Sequence, residues 1–306
     1  MNIDYAFIMC AGKGSRMGKI GSVLPKPLWP VFEKSLLELQ IIYAKKLGVR
    51  DIFINSHHCH EQMQESLKSL SAKYDNLHLL FEPTLLGSGG GVHNFCRHPK
   101  IKYKGTAIYL SGDQFLFYSD DQNEDIKKIY EEKGSCLIAN DITGATGYNR
   151  ILVDDNSLID IESDYNSKEK SFTFSGMGYL NLELIKPDHG NSSFFDTVCN
   201  YKDRKIGIHL LKNQEYWDFG TLNRYFESCF KLFNKTSEDY SFFKVFSKPS
   251  VMNSDKCHLV DNSYGFHKME NRLSFEFKYE NEDKCLDIID GKGQRIEFNN
   301  IVDDIE

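Results

Sequence analysis

Arg16 and Lys26 stand ten residues apart in a stretch otherwise rich in small residues and prolines. The stretch reads Cys10-Ala11-Gly12-Lys13-Gly14-Ser15-Arg16-Met17-Gly18, then Pro25-Lys26-Pro27-Leu28. Gly12 and Gly14 let the backbone pass close to a ligand and aim N–H groups at it. Two cations beside such donors suit a polyphosphate. Two carboxylates further along extend the set: Asp113 in Tyr109-Leu110-Ser111-Gly112-Asp113, and Asp218 in Trp217-Asp218-Phe219-Gly220-Thr221. Asp113 follows an apolar run, at the end of a buried strand, where open α/β sheets bind ligands and an Asp is a natural Mg²⁺ ligand. Asp218 could meet the same cation. Each carboxylate also has a plainer reading as a turn or cap residue, with Thr221 suited to an N-cap.

The two common phosphate loops fit poorly. A P-loop needs Gly where this chain has Lys13, and Ser or Thr where it has Ile20. A dinucleotide fingerprint needs a sixth-position Gly opening a helix, and here that position is Met17. Pro25, Pro27 and Pro30 forbid a helix beyond the loop and predict an extended segment holding Lys26. A dinucleotide-dependent oxidoreductase is disfavoured on the same ground.

The elements that must position these groups alternate over the first 140 residues. The apolar run Tyr5–Met9 reads as a buried strand. Helices are expected over 35–47, 58–70, 88–96 and 126–132, and strands over 51–55, 76–81, 106–110 and 136–140. That order predicts an α/β, Rossmann-like, mixed and mainly parallel sheet covered on both faces. Two strands about the turn Asp154-Asp155-Asn156 read as a hairpin, followed by a strand over 172–182, a short helix over 193–200, a strand over 206–210 and a helix over 221–234. The rest predicts a small β-rich C-terminal extension, giving a catalytic domain over 1–237 and the extension over 238–306.

The 306 residues are 41% hydrophobic and 26% charged, ordinary for a soluble globular protein. A net charge of -7 argues against a nucleic-acid binder. No apolar run reaches membrane-span length, and no secretory signal opens the chain. The eight cysteines are scattered without a C-x-x-C pair, which predicts reduced, mostly buried thiols and a cytoplasmic protein. His57-His58-Cys59-His60 resembles a metal cluster, but adjacent helical residues point apart, so a strand-to-helix turn is the expectation.

A second glycine-rich segment, Leu86-Gly87-Ser88-Gly89-Gly90-Gly91, opens a helix and also allows close backbone approach. Together with Ala11 to Met17, Pro25 to Leu28, Gly112-Asp113, Phe174-Ser175-Gly176 and Trp217 to Thr221, it makes the chain resemble the sugar-1-phosphate nucleotidyltransferases over about residues 3–235. The nearest subgroup is similar to N-acetylmuramate-1-phosphate uridylyltransferase and mannose-1-phosphate guanylyltransferase. The resemblance implies a GT-A-like fold and transfer of NMP from an NTP to a sugar 1-phosphate, supplying NDP-sugar for cell-surface polysaccharide. It implies Arg16 at the β,γ-phosphates, Lys26 at the α-phosphate, and Mg²⁺ on Asp113 and Asp218. It further implies nucleotide contacts from Ala11, Gly12, Gly14, Ser15, Gly87, Ser88 and Gly89, and sugar contacts from Gly147, Ser175 and Gly176. Glu82, where the family contacts the base, accepts hydrogen bonds only and so favours guanine, with uracil next. The family's Glu-Lys-Pro lysine has no clear counterpart in Asn166-Ser167-Lys168-Glu169-Lys170, where Lys168 or Lys170 could substitute. A non-sugar phosphorylated acceptor, or a non-catalytic sensor on the same fold, is the alternative. Homodimerisation is one expected role of the extension.

Overall fold

Strand β1 (Tyr5–Met9) carries three fully buried residues in succession, Ala6, Phe7 and Ile8. Alternate side chains leave a strand on opposite faces, so both faces of this one are covered. Ala6 and Ile8 enter one apolar core and Phe7 the other. A computed structural model describes residues 1–17, 19–32, 34–142, 147–165, 170–233, 240–247, 258–259, 274–280, 283–289 and 294–301.

After β1 come three 3-10 turns (Ser15–Met17, Lys19–Ser22 and Lys26–Leu28), the paired strands β2 (Pro30–Val31) and β3 (Lys34–Ser35), and helix α1 (Leu36–Lys46). Then follow β4 (Asp51–Ser56), α2 (His60–Leu70), β5 (Leu77–Phe81), α3 (Gly87–Cys96), β6 (Thr106–Ser111), β7 (Gln114–Phe117) and α4 (Asn123–Lys133). The second half holds β8 (Ser135–Asp141), β9 (Tyr148–Asp154), β10 (Ser157–Tyr165), β11 (Phe172–Asn181), a π-helical turn at Phe194–Cys199, β12 (Gly207–Leu210), β13 (Glu215–Asp218), α5 (Leu222–Phe233) and α6 (Ser241–Phe246). Strands β14 (His258–Leu259), β15 (Ser274–Glu280), β16 (Asp283–Ile289) and β17 (Arg295–Ile301) form a separate four-stranded sheet.

The main sheet has nine strands in the order β5-β4-β1-β6-β11-β8-β12-β10-β9. It is mixed, as the sequence predicts: β4, β5 and β6 join β1 in parallel, while β11 runs antiparallel between β6 and β8. The order turns back on either side of β1, since β4 pairs on one side and β6 on the other. The crevice at the C-terminal ends of β1 and β6 is therefore a topological switch point, where ligands bind in such sheets. Local signals set the element ends. The Ser35 hydroxyl accepts from the Glu38 N–H to cap α1, and Asp155 and Asn156 take the left-handed conformations that a tight hairpin turn demands.

Lys26 departs from expectation. Its segment is not extended, because Lys26–Leu28 closes one 3-10 turn between extended Pro25 and Trp29. Proline in the first turn of a helix loses no hydrogen bond, so Pro27 permits a single turn while preventing a longer helix. Helix 58–70 begins only at His60, since Cys59 is left-handed.

The aromatic core runs past residue 237. Phe242 and Phe246 of α6 pack edge-on against Phe115 at 5.8 and 5.4 Å. Phe275 and Ile288 of the C-terminal sheet join the same core. Among the described residues no helix is long and apolar enough to cross a membrane.

Candidate active site

The glycine loop hangs from a buried asparagine. Asn55, at the end of β4, accepts from the Cys10 and Ala11 N–H groups at 2.6 and 3.0 Å. Its amide nitrogen donates to Glu82 Oε1 at 2.7 Å, and Glu82 Oε2 accepts from the Leu86 N–H at 3.2 Å. One hydrogen-bond chain thus links the ends of β1, β4 and β5. Gly14 is left-handed, and a Cβ there would lie 2.7 Å from the Gly21 carbonyl oxygen. Only glycine lets the loop fold back on itself at that point. We expect Asn55→Ala to cost about 2 kcal/mol or more in urea unfolding, since two N–H groups and a buried carboxylate lose their partner.

Above the loop lies a cleft of about 280 Å³, lined by residues 9–17, Lys26, Pro27, 111–113 and Gly220. Ala11, Gly12, Gly14, Ser15, Arg16 and Lys26 all line it. Lys13 joins them. Gly12 is open on its cleft side, where a Cβ would meet nothing within 4 Å.

The two aspartates, distant in sequence, meet through β7 and β13. These strands pair antiparallel with Asp218 opposite Gln114, and the Phe219 N–H donates to the Asp113 carbonyl at 2.8 Å. Gly220 sits between the carboxylates. A Cβ on it would stand 2.8 Å from Asp218 Oδ1 and 3.3 Å from Asp113 Oδ2. Lys26 Nζ donates to Asp113 Oδ2. Asp218 is 6% exposed. Its Oδ1 accepts from the Gly220 N–H at 2.7 Å, and its Oδ2 from Tyr148 Oη at 2.8 Å and Arg224 Nη1 at 3.1 Å. The Arg224 guanidinium lies 3.9 Å over the Tyr148 ring, so the two donors brace each other. Thr221 is the predicted helix cap, its hydroxyl accepting from the Arg224 N–H at 3.2 Å.

Burial, and then the Asp113 charge, push the Asp218 carboxyl up from its ordinary value, against the pull of Arg224. Two close carboxylates of this kind favour a cation between them. Among the described residues no group of three or more His, Cys, Asp or Glu side chains gathers as a metal cluster. A pair of hard oxygen donors suits Mg²⁺, which takes one or two protein carboxylates and completes its shell with phosphates and water. A raised folded-state value means that the folded chain holds more protons than the unfolded chain. Stability therefore falls as pH rises through that window. Asp218→Asn should then melt higher than wild type at neutral pH, with the gain fading as pH falls toward the ordinary aspartate range. Scanning fluorimetry across pH reads this, and a pH-independent difference would contradict it.

Other predicted residues lie elsewhere. Glu82 is fully buried beneath the loop, with its carboxylate taken by Asn55 and Leu86, so it does not present an edge for a base. Gly87 and Gly89 make room for another backbone: a Cβ at either would strike the carbonyl of Ser192 or Ser193. The Ser88 hydroxyl accepts from the Phe194 N–H at 3.0 Å. This segment packs beneath the cleft, where Gly91 lies against Asn55, Met9 and Glu82. Ser175 turns its hydroxyl into the sheet, donating to the Ile138 carbonyl at 2.8 Å. Gly176 forms a left-handed bulge against Ser111, which is what the shift in register between Phe174 and Met177 requires. Gly147 carries its carbonyl to Arg224 Nη2 at 3.1 Å and so borders the Asp218 side. Of the two candidate lysines, Lys168 lies outside the described residues, and Lys170 places Nζ 5.5 Å from the centre of the Phe172 ring. The histidine run is a turn: His57 meets the Glu82 carbonyl, His58 the Ser22 carbonyl and His60 the Ser56 hydroxyl.

Residues 5–163 match the nucleotidyl transferase family, a stretch that carries the glycine loop, Lys26 and Asp113. The chain belongs to that family. This nucleotidyl transferase is 27% identical over 189 residues to a D-glycero-alpha-D-manno-heptose 1-phosphate guanylyltransferase of Campylobacter jejuni, covering 60% of this chain and 76% of that enzyme. It is 24% identical over 221 residues to a bifunctional sugar-1-phosphate nucleotidylyltransferase/acetyltransferase of Sulfurisphaera tokodaii, covering 69% of this chain and only 51% of the relative. Its fold matches HddC from Yersinia pseudotuberculosis, solved in complex with GMP-PN, at a TM-score of 0.64 and 19% identity, over 75% of this chain and all of that one. The CTP:phosphocholine cytidylyltransferase of Streptococcus pneumoniae matches at 0.59 and 19%, again over 75% of this chain and all of the other.

Proposed function

We propose that this nucleotidyl transferase joins an NTP to a sugar 1-phosphate, giving an NDP-sugar and pyrophosphate. The observation that carries the reading is the convergence of Lys26, Asp113 and Asp218 around Gly220, beside a glycine loop bearing Arg16. An oxygen of the sugar phosphate attacks the α-phosphorus. A new P–O bond forms as the α–β bridging bond breaks, and pyrophosphate takes the electron pair. The nucleophile is already an anion, so no general base is needed. What remains is positioning and charge neutralisation. Gly12 and Gly14 offer backbone N–H groups to the phosphates, and Arg16 holds the leaving β,γ-phosphates. Lys26 meets the charge that develops at the α-phosphate. Mg²⁺, held by Asp113 and Asp218, supplies further neutralisation when bound.

Guanine is the base we favour, with uracil next. Glu82 no longer supports that choice. Its support is now the likeness to a heptose-phosphate guanylyltransferase and to a fold solved with GMP-PN. We place the reaction in the cytoplasm, with homodimerisation through 238–306 to be read by light scattering. The test of function is pyrophosphate release from each NTP against a panel of sugar 1-phosphates. Release with at least one pair is expected. A second reading, a non-sugar phosphorylated acceptor, follows from the departure from Glu-Lys-Pro at Asn166 to Lys170, and phosphocholine in the same panel tests it. A nucleotide that binds without any turnover would favour the sensor.

A further inference from the structure

Trp29 fastens the turn that carries Lys26. Its backbone N–H donates to the Lys26 carbonyl at 2.9 Å, and its indole N–H donates to the Leu24 carbonyl at 3.2 Å. The two bonds grip the turn at both ends, and the ring is wholly buried. Two other rings enclose it. Tyr225 of α5 meets it edge-on at 5.0 Å, and Phe275 of β15 at 5.4 Å. Tyr225 also touches Phe219, the neighbour of Asp218, at 6.0 Å, and donates its hydroxyl to the Pro30 carbonyl. Phe275 lies 6.3 Å from Tyr225 and is 1% exposed. The cage around Trp29 thus has one wall from the Asp218 side of the cleft and one from the C-terminal sheet, beyond the residues that match the family.

We infer that the C-terminal sheet positions Lys26, with Phe275 acting through Trp29 and Tyr225 to hold the Lys26 turn in register with Asp113 and Asp218. The inference rests on the reading of Lys26 given under the proposed function. Lysine has a flexible stem, so its aim at a phosphate depends on the backbone from which it starts. Opening one wall of the cage frees that backbone while leaving every cleft-lining side chain in place.

The test is a double-mutant cycle on pyrophosphate release, using the NTP and acceptor pair that the panel identifies. Phe275→Ala should lower kcat about tenfold in the wild-type background, with KM for the NTP changing far less, and within about twofold of nothing in a Lys26→Ala background. Phe275→Leu, which refills most of the wall, should restore most of the loss. If Phe275→Ala does not fold, Phe275→Val, which opens part of the same wall, carries the cycle with a smaller loss. Equal losses in both backgrounds, or no loss while wild type turns over, overturn this inference alone. Absence of turnover by wild type with every pair overturns the parent reading, and this one with it.

Discussion

Asp113→Ala should lower turnover by about 10³-fold or more while leaving the fold in place, the several kcal/mol by which a positioned divalent ion stabilises such a transition state. Asp113 is the carboxylate that faces both Lys26 and the cleft. On the proposed metal site, removing it leaves Asp218 as the lone ligand, already held on three sides by Gly220, Tyr148 and Arg224. One carboxylate braced in this way cannot draw a cation to the α-phosphate side. The folding cost stays small because Lys26 is 20% exposed in its side chain and can turn to solvent. The Asp218 carboxyl should also relax downward, since the Asp113 charge is the second cause of its rise. Pyrophosphate release, with circular dichroism as the control, reads both halves. A variant that keeps activity within tenfold of wild type removes Asp113 from the metal site.

Lys26→Ala should cost about 10²- to 10³-fold in kcat, the usual loss when a positioned donor to developing charge is removed. The effect belongs in kcat more than in KM, because a charge that grows at the α-phosphate is met most strongly in the transition state. Lys26→Arg should not rescue it. A planar, forked guanidinium is bulkier than an ammonium and cannot occupy the single point now shared with Asp113 Oδ2. Steady-state kinetics in saturating Mg²⁺ measures this. A raised KM with an unchanged kcat would instead make Lys26 a ground-state phosphate binder.

Much of this site is legible in the sequence, because local rules govern it. Gly12, Gly14, Arg16 and Lys26 follow one buried strand, and strand ends are where sheets of this class place their ligands. Asp113 is legible for the same reason and Asp218 by its place just before a helix, whereas the β7–β13 ladder that brings the two together is not. What misleads is the same residue type doing a different task. Gly87 and Gly89 look like a ligand cradle, yet they make room for the carbonyls of Ser192 and Ser193, more than a hundred residues away in sequence. Glu82 looks like a base reader, yet its oxygens close the network beneath the loop. Asn55 escapes notice, although an amide ending the apolar run Ile52-Phe53-Ile54 is a signal that a strand end needs a donor and acceptor together. Arg224 and Tyr148 escape for a physical reason: their partner is Asp218, and only the tertiary fold brings β9, α5 and β13 to one point. The prolines around Lys26 rule out a helix but not a single turn, which needs no hydrogen bond from Pro27.

The short ladder between β7 and β13 bears on how such an enzyme can change its substrate. The two carboxylates are coupled by strand pairing, not by the length of chain between them. The turns that join β8 through β12 can lengthen or shorten without altering that pairing, whereas β9, which carries Tyr148 to Asp218, and β11, which pairs with β6, stay part of the frame. A one-residue slip inside β13 has the opposite outcome: side chains alternate, so Trp217 would swing toward Asp113 and Asp218 into the aromatic core. The fold thus separates turns free to diversify its acceptor from a four-residue strand that tolerates no insertion.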